Sequence, residues 1–315
     1  MTLYFGVDVG GTSIKTALVT EKGEIVTRSS FATNLHRRPE DVCNELQGVL
    51  HQVVEKAACS ISDVVGVGVG LPGFLDLKKG EIIKLPNIGW ENIPFIQIAE
   101  NAFHLPVVME NDAKVAALAE SWIGAGQHAL ALVCVTVGTG VGGGFVVHQR
   151  LYRGVNGMAG EVGHLTVDKG GLPCHCGRRG CLETVASATA MVRRAKELQA
   201  SGQLSDEVAI DEAKTIFDLA DKGDKMAQQI IDEAADWLGF GLSIIAGTVN
   251  PDTILIGGGI SKAGDVFLRP VTEAFRRYAL HLVADACTVR AAKLTNDAGV
   301  IGASRLVSQR ESLRR

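Results

Sequence analysis

Several features that define other protein classes are missing from this sequence. No apolar run approaches the roughly 20 residues that a helix needs to cross a bilayer. The opening segment also has no charged stretch followed by a long apolar run. The 31 basic and 35 acidic residues give a net charge of −4, so there is no basic excess to neutralise a phosphate backbone. We therefore expect a cytoplasmic protein with no membrane partner and no nucleic-acid partner.

The sequence also argues against two common classes of nucleotide-binding protein. No GxxxxGK[ST] segment occurs, which rules out a P-loop nucleotidase. Gly138, Gly140 and Gly143 formally satisfy GxGxxG, but the β-branched run 145–147 follows them and predicts a strand. A dinucleotide-binding fold needs a helix at that point, because the helix N-terminus faces the pyrophosphate. The sequence thus argues against hydride transfer.

A disulfide framework is not expected, because the chain has seven cysteines, an odd number for its length. Four of them stand alone in apolar or mixed surroundings and are interpreted as small buried side chains: Cys43, Cys59, Cys134 and Cys287. The other three fall within ten residues, in the segment CHCGRRGCLE that spans 174–183. This segment needs a separate explanation.

The chain is organised as two similar halves. At 315 residues it is longer than a single core usually supports. The opening LYFGVDVGGTSIKTALV returns 128 residues later as LALVCVTVGTGVGGGFVV, with Gly10 and Gly138 in register. This repetition predicts two α/β domains with a ligand cleft between them. We place them at 1–120 and 121–296, and we expect a final helix over about 297–315 to pack back on the first domain.

Periodicity predicts the main elements of both halves. The first 32 residues form a three-stranded antiparallel meander, because β-rich runs alternate with turn signals. A helix over 40–58 follows, then a buried strand, and later an apolar strand leads through Glu110-Asn111-Asp112 into another helix. In the second half we predict helical stretches over about 184–200, 211–220 and 224–248.

Two glycine turns carry groups suited to phosphate. Their backbone N–H groups can approach phosphate oxygens closely. One of them adds a carboxylate for Mg²⁺ and a lysine, so two facing turns would clamp a nucleoside triphosphate. Either turn alone could equally be a hairpin with no ligand. The candidate residues are Asp8, Gly10, Gly11, Thr12 and Lys15 in the first turn, and Gly138, Thr139 and Gly140 in the second.

The cysteine segment predicts a zinc site within the second domain, over 164–181. His164, Cys174, Cys176 and Cys181 are spaced H-x9-C-x-C-x4-C, a set of soft or borderline ligands. The spacing is not the C-x2-C of a nucleic-acid finger. A closed four-ligand site has no open position for water, so the ion should be structural. The alternative is a reducible disulfide with one free thiol.

This series of motifs resembles the repressor, open-reading-frame and kinase (ROK) family of sugar kinases, within the actin-like ATPase superfamily. The likeness covers essentially the whole chain and rests on DVGGTSIK, GLPG, LPNIGW, ENDA, GTGVGGG, GEVGH, CHCGRRGCLE, GGGIS and NDAGVIGAS. It is greatest to the ATP-dependent glucokinases of Gram-positive bacteria. The resemblance implies a duplicated RNase H-like fold, ATP and Mg²⁺ in the cleft, and a homodimer, which is common in the family.

The resemblance also implies roles for particular residues. Asp112 becomes the general base that takes the sugar hydroxyl proton, although local sequence leaves helix capping by Asn111 or Asp112 equally open. His164 would bind zinc through one ring nitrogen and the sugar through the other. The implied hexose contacts are Asn87, Asn111, Asp112, Glu161, His164 and Glu183, and the adenosine side falls to Gly257, Gly258 and Gly259. Taken singly, Asn87, Glu161 and the triple glycine could each serve an ordinary turn or loop.

Two function classes remain open at this point. One is a kinase that phosphorylates glucose at its 6-hydroxyl, and the other is a sugar-sensing regulator of the same family. Regulators of the family carry an N-terminal helix-turn-helix, whereas the first glycine turn here begins nine residues in, so we expect no DNA-binding domain. LPNIGW and CLETVAS favour glucose by resemblance. Fructose, mannose, allose or an N-acetylhexosamine remain as alternative substrates.

Overall fold

A computed structural model describes residues 1–33, 37–85 and 88–313 of the chain. The strands within these ranges are β1 (Leu3–Val9), β2 (Ser13–Thr20), β3 (Ile25–Ala32), β4 (Val64–Leu71), β5 (Phe74–Asp76), β6 (Glu81–Leu85), β7 (Trp90–Ile93), β8 (Val107–Asn111), β9 (Ala131–Val137), β10 (Val141–Val147), β11 (Arg150–Leu151), β12 (Thr253–Gly257) and β13 (Thr288–Ala291).

The α-helices in the same ranges are α1 (Pro39–Lys56), α2 (Phe95–Phe103), α3 (Asp112–Ile123), α4 (Glu183–Ala186), α5 (Ala188–Ala200), α6 (Ala213–Asp221), α7 (Lys225–Val249), α8 (Asp265–Tyr278), α9 (His281–Ala286) and α10 (Ala298–Leu313). Short 3-10 helices occur at Ile61–Asp63, Val162–His164, Gly259–Ala263 and Thr295–Asp297. Among the described residues, no helix has both the length and the apolar character that spanning a membrane requires.

The first of two compact units contains Met1–His128, Gly144–Ala159 and Leu294–Arg315. Its main sheet has the strand order β3-β2-β1-β4-β8. Strands β1, β2 and β3 form the expected antiparallel meander, while β4 pairs in parallel with both β1 and β8. A smaller antiparallel sheet, β5-β6-β7, was not predicted from the sequence. The first unit therefore contains a five-stranded mixed sheet and a separate three-stranded antiparallel sheet.

The meander follows from local sequence. Gly23 lies in the turn between β2 and β3 with a φ of 85°, a left-handed conformation that favours glycine. Residues along β3 alternate between half-buried and exposed, as expected for an edge strand with one face on the core. By contrast, β1 is buried along nearly its whole length, because it lies in the middle of the sheet.

Helix α10 packs directly on this sheet. A Cβ atom on Gly6 of β1 would overlap the carbonyl of Val300, and a Cβ on Gly68 of β4 would overlap the carbonyl of Ala303. Bare glycine backbone is what allows the helix to approach so closely. The last helix of the chain therefore completes the core of the first unit.

The second unit contains Ala129–Gly143 and Gly160–Lys293. Its strands β9, β12 and β13 are parallel neighbours. Together with β10 and β11 they form a sheet of order β11-β10-β9-β12-β13. The long helix α7 packs against α8. It begins after Asp224, whose carboxylate accepts hydrogen bonds from the N–H groups of Met226 and Ala227 at 2.9 and 3.0 Å, and it ends at Asn250 in the left-handed conformation.

The two five-stranded sheets have matching strand orders, with β1, β2, β3, β4 and β8 corresponding to β9, β10, β11, β12 and β13. This confirms the expected duplicated α/β architecture. The predicted helical stretch over 184–200 is interrupted, because α4 ends at Ala186 and α5 begins at Ala188. Ser187 is the reason: its side chain accepts a hydrogen bond from the Ala190 N–H at 3.1 Å and caps a new helix.

Candidate functional site

The turn between β1 and β2 contains the first set of predicted phosphate-binding residues. Gly10 donates its N–H to the Ser13 carbonyl at 3.0 Å, and the Thr33 hydroxyl donates to the Gly10 carbonyl at 2.8 Å. Gly11 and Thr12 are exposed at the tip of the turn. Hydrogen bonds at Gly10 and Ser13 thus hold the two ends of the turn, while the backbone between them is exposed. A phosphate-binding loop has this form.

Asp8 and Lys15 lie opposite each other across the β1–β2 pair. Burial raises the pKa of the Asp8 carboxyl, and the positive charge of Lys15 offsets part of this effect. The positive charge of Lys15 therefore compensates only part of the cost of burying a negative charge on Asp8. A carboxylate in such a place is suited to a divalent cation, because hard cations prefer oxygen ligands.

Glycines bring Asp8 close to the end of β8. A Cβ on Gly70 would lie 3.7 Å from Asp8 Oδ1 and 3.8 Å from the Asp112 Cα, and a Cβ on Gly299 would overlap the Asp8 carboxylate. Strands β1, β4 and β8 are parallel neighbours, so their carboxyl ends share one edge of the sheet. Within the first unit, the structure thus brings Asp8 and Asp112 together.

Asn111 and Asp112 lie at the junction between β8 and α3. The Asn111 Oδ1 accepts hydrogen bonds from the N–H groups of Ala113 and Lys114 at 3.0 and 3.3 Å, so Asn111 is the helix cap. This capping uses Oδ1 and does not involve the amide N–H groups of the same side chain. Asp112 is the first residue of the helix, and its Oδ1 accepts from the Ala113 N–H at 2.8 Å. Of the two candidates, Asn111 is thus the N-cap residue.

The second glycine turn joins β9 to β10 in the second unit. Gly138 donates its N–H to the Gly140 carbonyl at 2.9 Å and accepts from the Ala188 N–H at 2.8 Å, while Thr139 is exposed. Strand β10 follows the turn, as predicted, so no helix N-terminus faces it. A Cβ on Gly140 would lie 2.6 Å from Glu183 Oε2, which places this turn against a predicted sugar contact.

The triple glycine 257–259 lies where β12 ends and a short 3-10 helix begins. Gly258 has a φ of 84°, and a Cβ there would lie 2.6 Å from the backbone nitrogen of Val137. A side chain at this position would meet the end of β9, so only glycine fits. Gly258 and Gly259 are exposed, and a flat ligand could approach their backbone.

The four predicted zinc ligands form one cluster. One candidate ligand atom from each of His164, Cys174, Cys176 and Cys181 lies within 4.8 Å of the other three. The Cys174 Sγ is 3.7 Å from His164 Nδ1, and the Cys176 Sγ is 3.6 Å from the Cys181 Sγ. Tetrahedral zinc with bonds of about 2.0 to 2.3 Å separates its ligand atoms by roughly 3.5 to 3.8 Å. These residues could therefore hold zinc.

Backbone contacts hold the loop in this shape. The Cys174 N–H donates to the Arg178 carbonyl at 2.8 Å, and the Gly177 N–H donates to the Cys174 carbonyl at 3.0 Å. Gly177 and Gly180 have φ angles of 87° and 73°, which a larger side chain would disfavour. The Arg178 guanidinium donates to the His164 carbonyl at 2.7 Å. Arg178 is thus part of the loop structure.

The three thiols differ in acidity. Burial raises the pKa of Cys174 and of Cys181. Burial acts in the same direction on Cys176, but hydrogen bonds from Arg178 and from the other two thiols lower the pKa of Cys176 to about 6. A thiolate is the form that binds metal, so Cys176 is the thiol best prepared for a cation.

Two predicted sugar contacts of the second unit, Glu161 and Glu183, are connected with this cluster. Glu161 precedes the 3-10 helix that ends in His164, and Glu183 begins α4. The Glu183 Oε1 lies 3.1 Å from the Cys174 Sγ and 3.8 Å from His164 Nδ1. The structure therefore brings Glu183 and His164 to the same place. Asn87, the remaining predicted contact, lies outside the described residues.

Sequence reasoning missed three charged residues around Asp112. Glu110 and Lys114 flank it in the chain and are almost completely buried, and Arg153 pairs with Glu110. One signal was present in the sequence, since Lys114 stands within the apolar helix segment AKVAALAE. A lysine in a buried stripe requires a partner, but the sequence does not reveal which one.

Comparison with known proteins agrees with this arrangement. A glucokinase of Halalkalibacterium halodurans is 45% identical over 98% of this chain and 96% of its own length. The crystal structure of a ROK family glucokinase from Streptomyces griseus in complex with glucose and AMPPNP has a TM-score of 0.82 and 35% identity, covering 98% of this chain and 99% of that one. A xylose repressor of Caldicellulosiruptor bescii is 29% identical over 96% of this chain and 77% of its own length.

The family itself is identified by a match that extends almost from end to end. The ROK family pattern aligns with residues 4–310, which include both glycine turns, the Asn111-Asp112 junction and the four clustered metal-ligand candidates. The chain therefore belongs to the ROK family.

Proposed function

We propose that this protein is an ATP-dependent glucokinase that transfers the γ-phosphoryl group of ATP to the 6-hydroxyl of glucose. The observation that carries the proposal is the convergence of Asp8 and Asp112 at one sheet edge. Full-length similarity to a glucokinase supports the same reaction. The reaction needs at least one carboxylate that holds the metal ion and a second that accepts the hydroxyl proton. Asp8 and Asp112 would supply these two groups.

Asp112 is the proposed general base. As the glucose 6-oxygen forms its bond to the γ-phosphorus, the bond between that phosphorus and the β,γ-bridging oxygen of ATP breaks. The hydroxyl proton passes to the Asp112 carboxylate, and ADP leaves with the bridging oxygen. The helix cap at Asn111 fixes the first turn of α3, so the base starts from a defined position.

The nucleotide side is assigned to the two glycine turns and to the triple glycine. The N–H groups of Gly10 and Gly138 close the two turns by donating to the Ser13 and Gly140 carbonyls. The backbone N–H groups of Gly11, Thr12, Thr139 and Gly140 would then donate to phosphate oxygens, and Lys15 would add a positive charge. The adenosine is assigned to 257–259. Asp8 would hold Mg²⁺, which supplies neutralisation of the charge on the β- and γ-phosphates.

Glucose is assigned to Asn87, Asn111, Glu161, His164 and Glu183, side chains that donate to or accept from sugar hydroxyls. In this proposal His164 would hold a structural zinc ion through Nδ1, since that atom faces the Cys174 sulfur, which leaves Nε2 for a sugar hydroxyl. The metal would keep His164 in position. Glu183, whose Oε1 is 3.8 Å from His164 Nδ1, would contact the same hexose.

The location and the oligomeric state are proposals from the sequence and from the resemblance: a cytoplasmic protein that forms a homodimer. The boundaries of the two domains at residue 120 and at residue 296 likewise remain predictions.

A coupled ADP-release assay tests the proposed reaction. The protein is supplied with Mg²⁺, ATP and a panel of glucose, fructose, mannose, allose and N-acetylglucosamine. We expect kcat/KM to be highest with glucose and phosphate to appear on its 6-hydroxyl. If another hexose is turned over faster, that hexose is the substrate and the assignment of glucose is wrong. Hexose binding by calorimetry without ADP release would instead favour a sensor, a class to which the similarity to a xylose repressor points.

A further inference from the structure

Two buried residues of opposite charge flank the proposed base. The side chain of Glu110 is 1% exposed and that of Lys114 is 3% exposed, although both residue types are normally solvated. Glu110 is the penultimate residue of β8, and Lys114 lies in the first turn of α3. Burying two charges is costly unless each has a close partner. The proposed phosphoryl transfer assigns no role to either residue.

One loop, residues 153–159, supplies a partner to each of the two. Arg153 Nε donates to Glu110 Oε2 at 2.6 Å, and the other oxygen, Oε1, accepts from the Asn111 N–H at 3.0 Å. Lys114 Nζ donates to the carbonyl of Gly157. A single loop is therefore attached on both sides of Asp112, two residues before it through Glu110 and two residues after it through Lys114.

The loop has a defined shape of its own. The Ala159 N–H donates to the Arg153 carbonyl at 3.1 Å and closes the loop, and glycines at 154 and 157 have φ angles of 69° and 86°. Just before it, β10 lies against the first turns of α3: a Cβ on Gly144 would be 2.7 Å from the Ala117 Cβ. The loop is thus a closed structure next to a close backbone contact, and it can hold the helix start firmly.

From these contacts we infer that Arg153, acting through Glu110, and Lys114, acting through Gly157, are positioning residues for the base. They hold the β8–α3 junction in place so that the Asp112 carboxylate meets the sugar hydroxyl at reaction distance. This inference rests on the proposed role of Asp112. A misplacement of about 1 Å can reduce the rate by roughly 100-fold, so small shifts of the junction matter.

A series of Arg153 variants separates positioning from folding. Arg153→Met leaves the Glu110 carboxylate buried without its ion-pair partner, so we expect a lower Tm and a fall in kcat of about 10- to 100-fold. The KM for glucose should change by less than about threefold, because Glu161, His164 and Glu183, the proposed hexose contacts of the second unit, are unaltered. Arg153→Lys retains the charge and should recover part of kcat.

The decisive variant is Glu110→Gln/Arg153→Met, in which neither partner is charged. Removing both members of a buried pair can be nearly neutral for stability, so Tm should return towards that of the parent. We expect kcat to stay low, since the loop has lost its attachment to the junction. Arg194→Met is the control: it removes a half-exposed ion pair to Glu233 in the second unit and should change kcat by less than about twofold.

The outcomes are distinct. If kcat recovers together with Tm in the double variant, the pair serves stability alone and the positioning role is wrong. If kcat stays low while Tm recovers, the positioning role stands. If the parent protein and the Arg194→Met variant release no ADP with any hexose, the proposed kinase function has failed, and the positioning proposal fails with it.

Discussion

The two five-stranded sheets have the same strand order, but equivalent positions in their centres are filled differently. In the first sheet, Gly6 of β1 pairs with Gly68 of β4. In the second sheet, the corresponding pair is Cys134 of β9 and Leu255 of β12, and both side chains are buried. Helix α10 rests on the glycine pair at backbone contact. The two sheets thus share a strand order, but only the first has the glycine pair on which a helix can rest at backbone contact.

The sheets also differ in what their connections contain. In the first sheet, β8 leads through Asn111 directly into α3, and the carboxylates of Asp8 and Asp112 lie at that edge. In the second sheet, the chain between β11 and β12 includes the metal-ligand cluster and α4 to α7. The first sheet therefore carries its candidate functional residues at the ends of its strands, whereas those of the second include a long connection between two strands.

The largest effect is expected from Asp112→Asn, which tests whether the chemistry belongs to the first sheet. A positioned base usually contributes on the order of 10² to 10⁴ in rate, so kcat should fall by that factor while glucose binding and Tm change little. Steady-state kinetics and calorimetry measure the two quantities. Asp218→Asn, which removes an exposed carboxylate of α6, is the matched control. Activity within a few fold of the parent would refute the assignment of the base.

A second prediction concerns the glycine pair itself. Gly68→Ala forces a Cβ into the Ala303 carbonyl, so α10 or β4 must shift, and we expect the free energy of unfolding to fall by about 1 to 3 kcal/mol. Urea denaturation measures this change. Gly48→Ala in α1 is the control, because no atom lies within 4 Å of the added Cβ. Its free energy of unfolding should rise by about 0.5 to 1 kcal/mol, since alanine is a better helix former than glycine. Equal effects at both positions would mean that the close helix contact is not what requires glycine.

The smallest effect is expected in the metal loop. Cys176→Ser removes one of the four candidate zinc ligands, and we expect the KM for glucose to rise on the order of tenfold, because ligand-shell changes typically cost 10- to 100-fold in metal affinity or activity. The bulk of the fold should remain, as judged by circular dichroism. Cys59→Ser, at a cysteine outside the cluster, should leave KM unchanged. A Cys176→Ser protein without zinc but with the parent KM would disprove the coupling between metal and sugar.

Much of the fold was predictable because its signals are local. The meander β1 to β3, helix α1 and the absence of a helix after 138–140 follow from periodicity and turn residues within short windows. The four clustered ligand candidates lie within 18 residues, so their spacing alone indicated a metal site. Asp112 stood out because an apolar strand changes to a helix at that point.

Other features could not be predicted, because they depend on residues far apart in the chain. Glu110 and Arg153 are separated by 43 positions, and nothing near Glu110 in the sequence identifies its partner. Gly299 lies against Asp8, although the two belong to opposite ends of the chain. The small sheet β5-β6-β7 was missed as well, since its strands are as short as three residues and show little periodicity.

The sequence by itself determined the family, the duplicated architecture and the residues with reactive side chains, because glycine turns, strand ends and metal ligands leave patterns in short stretches. Tertiary structure alone decided how those residues are held: α10 on the glycine pair, Asp8 between Gly70 and Gly299, and Asp112 between two buried charges. The physical reason is that burial and pairing are properties of neighbours in space, and the chain order does not specify those neighbours.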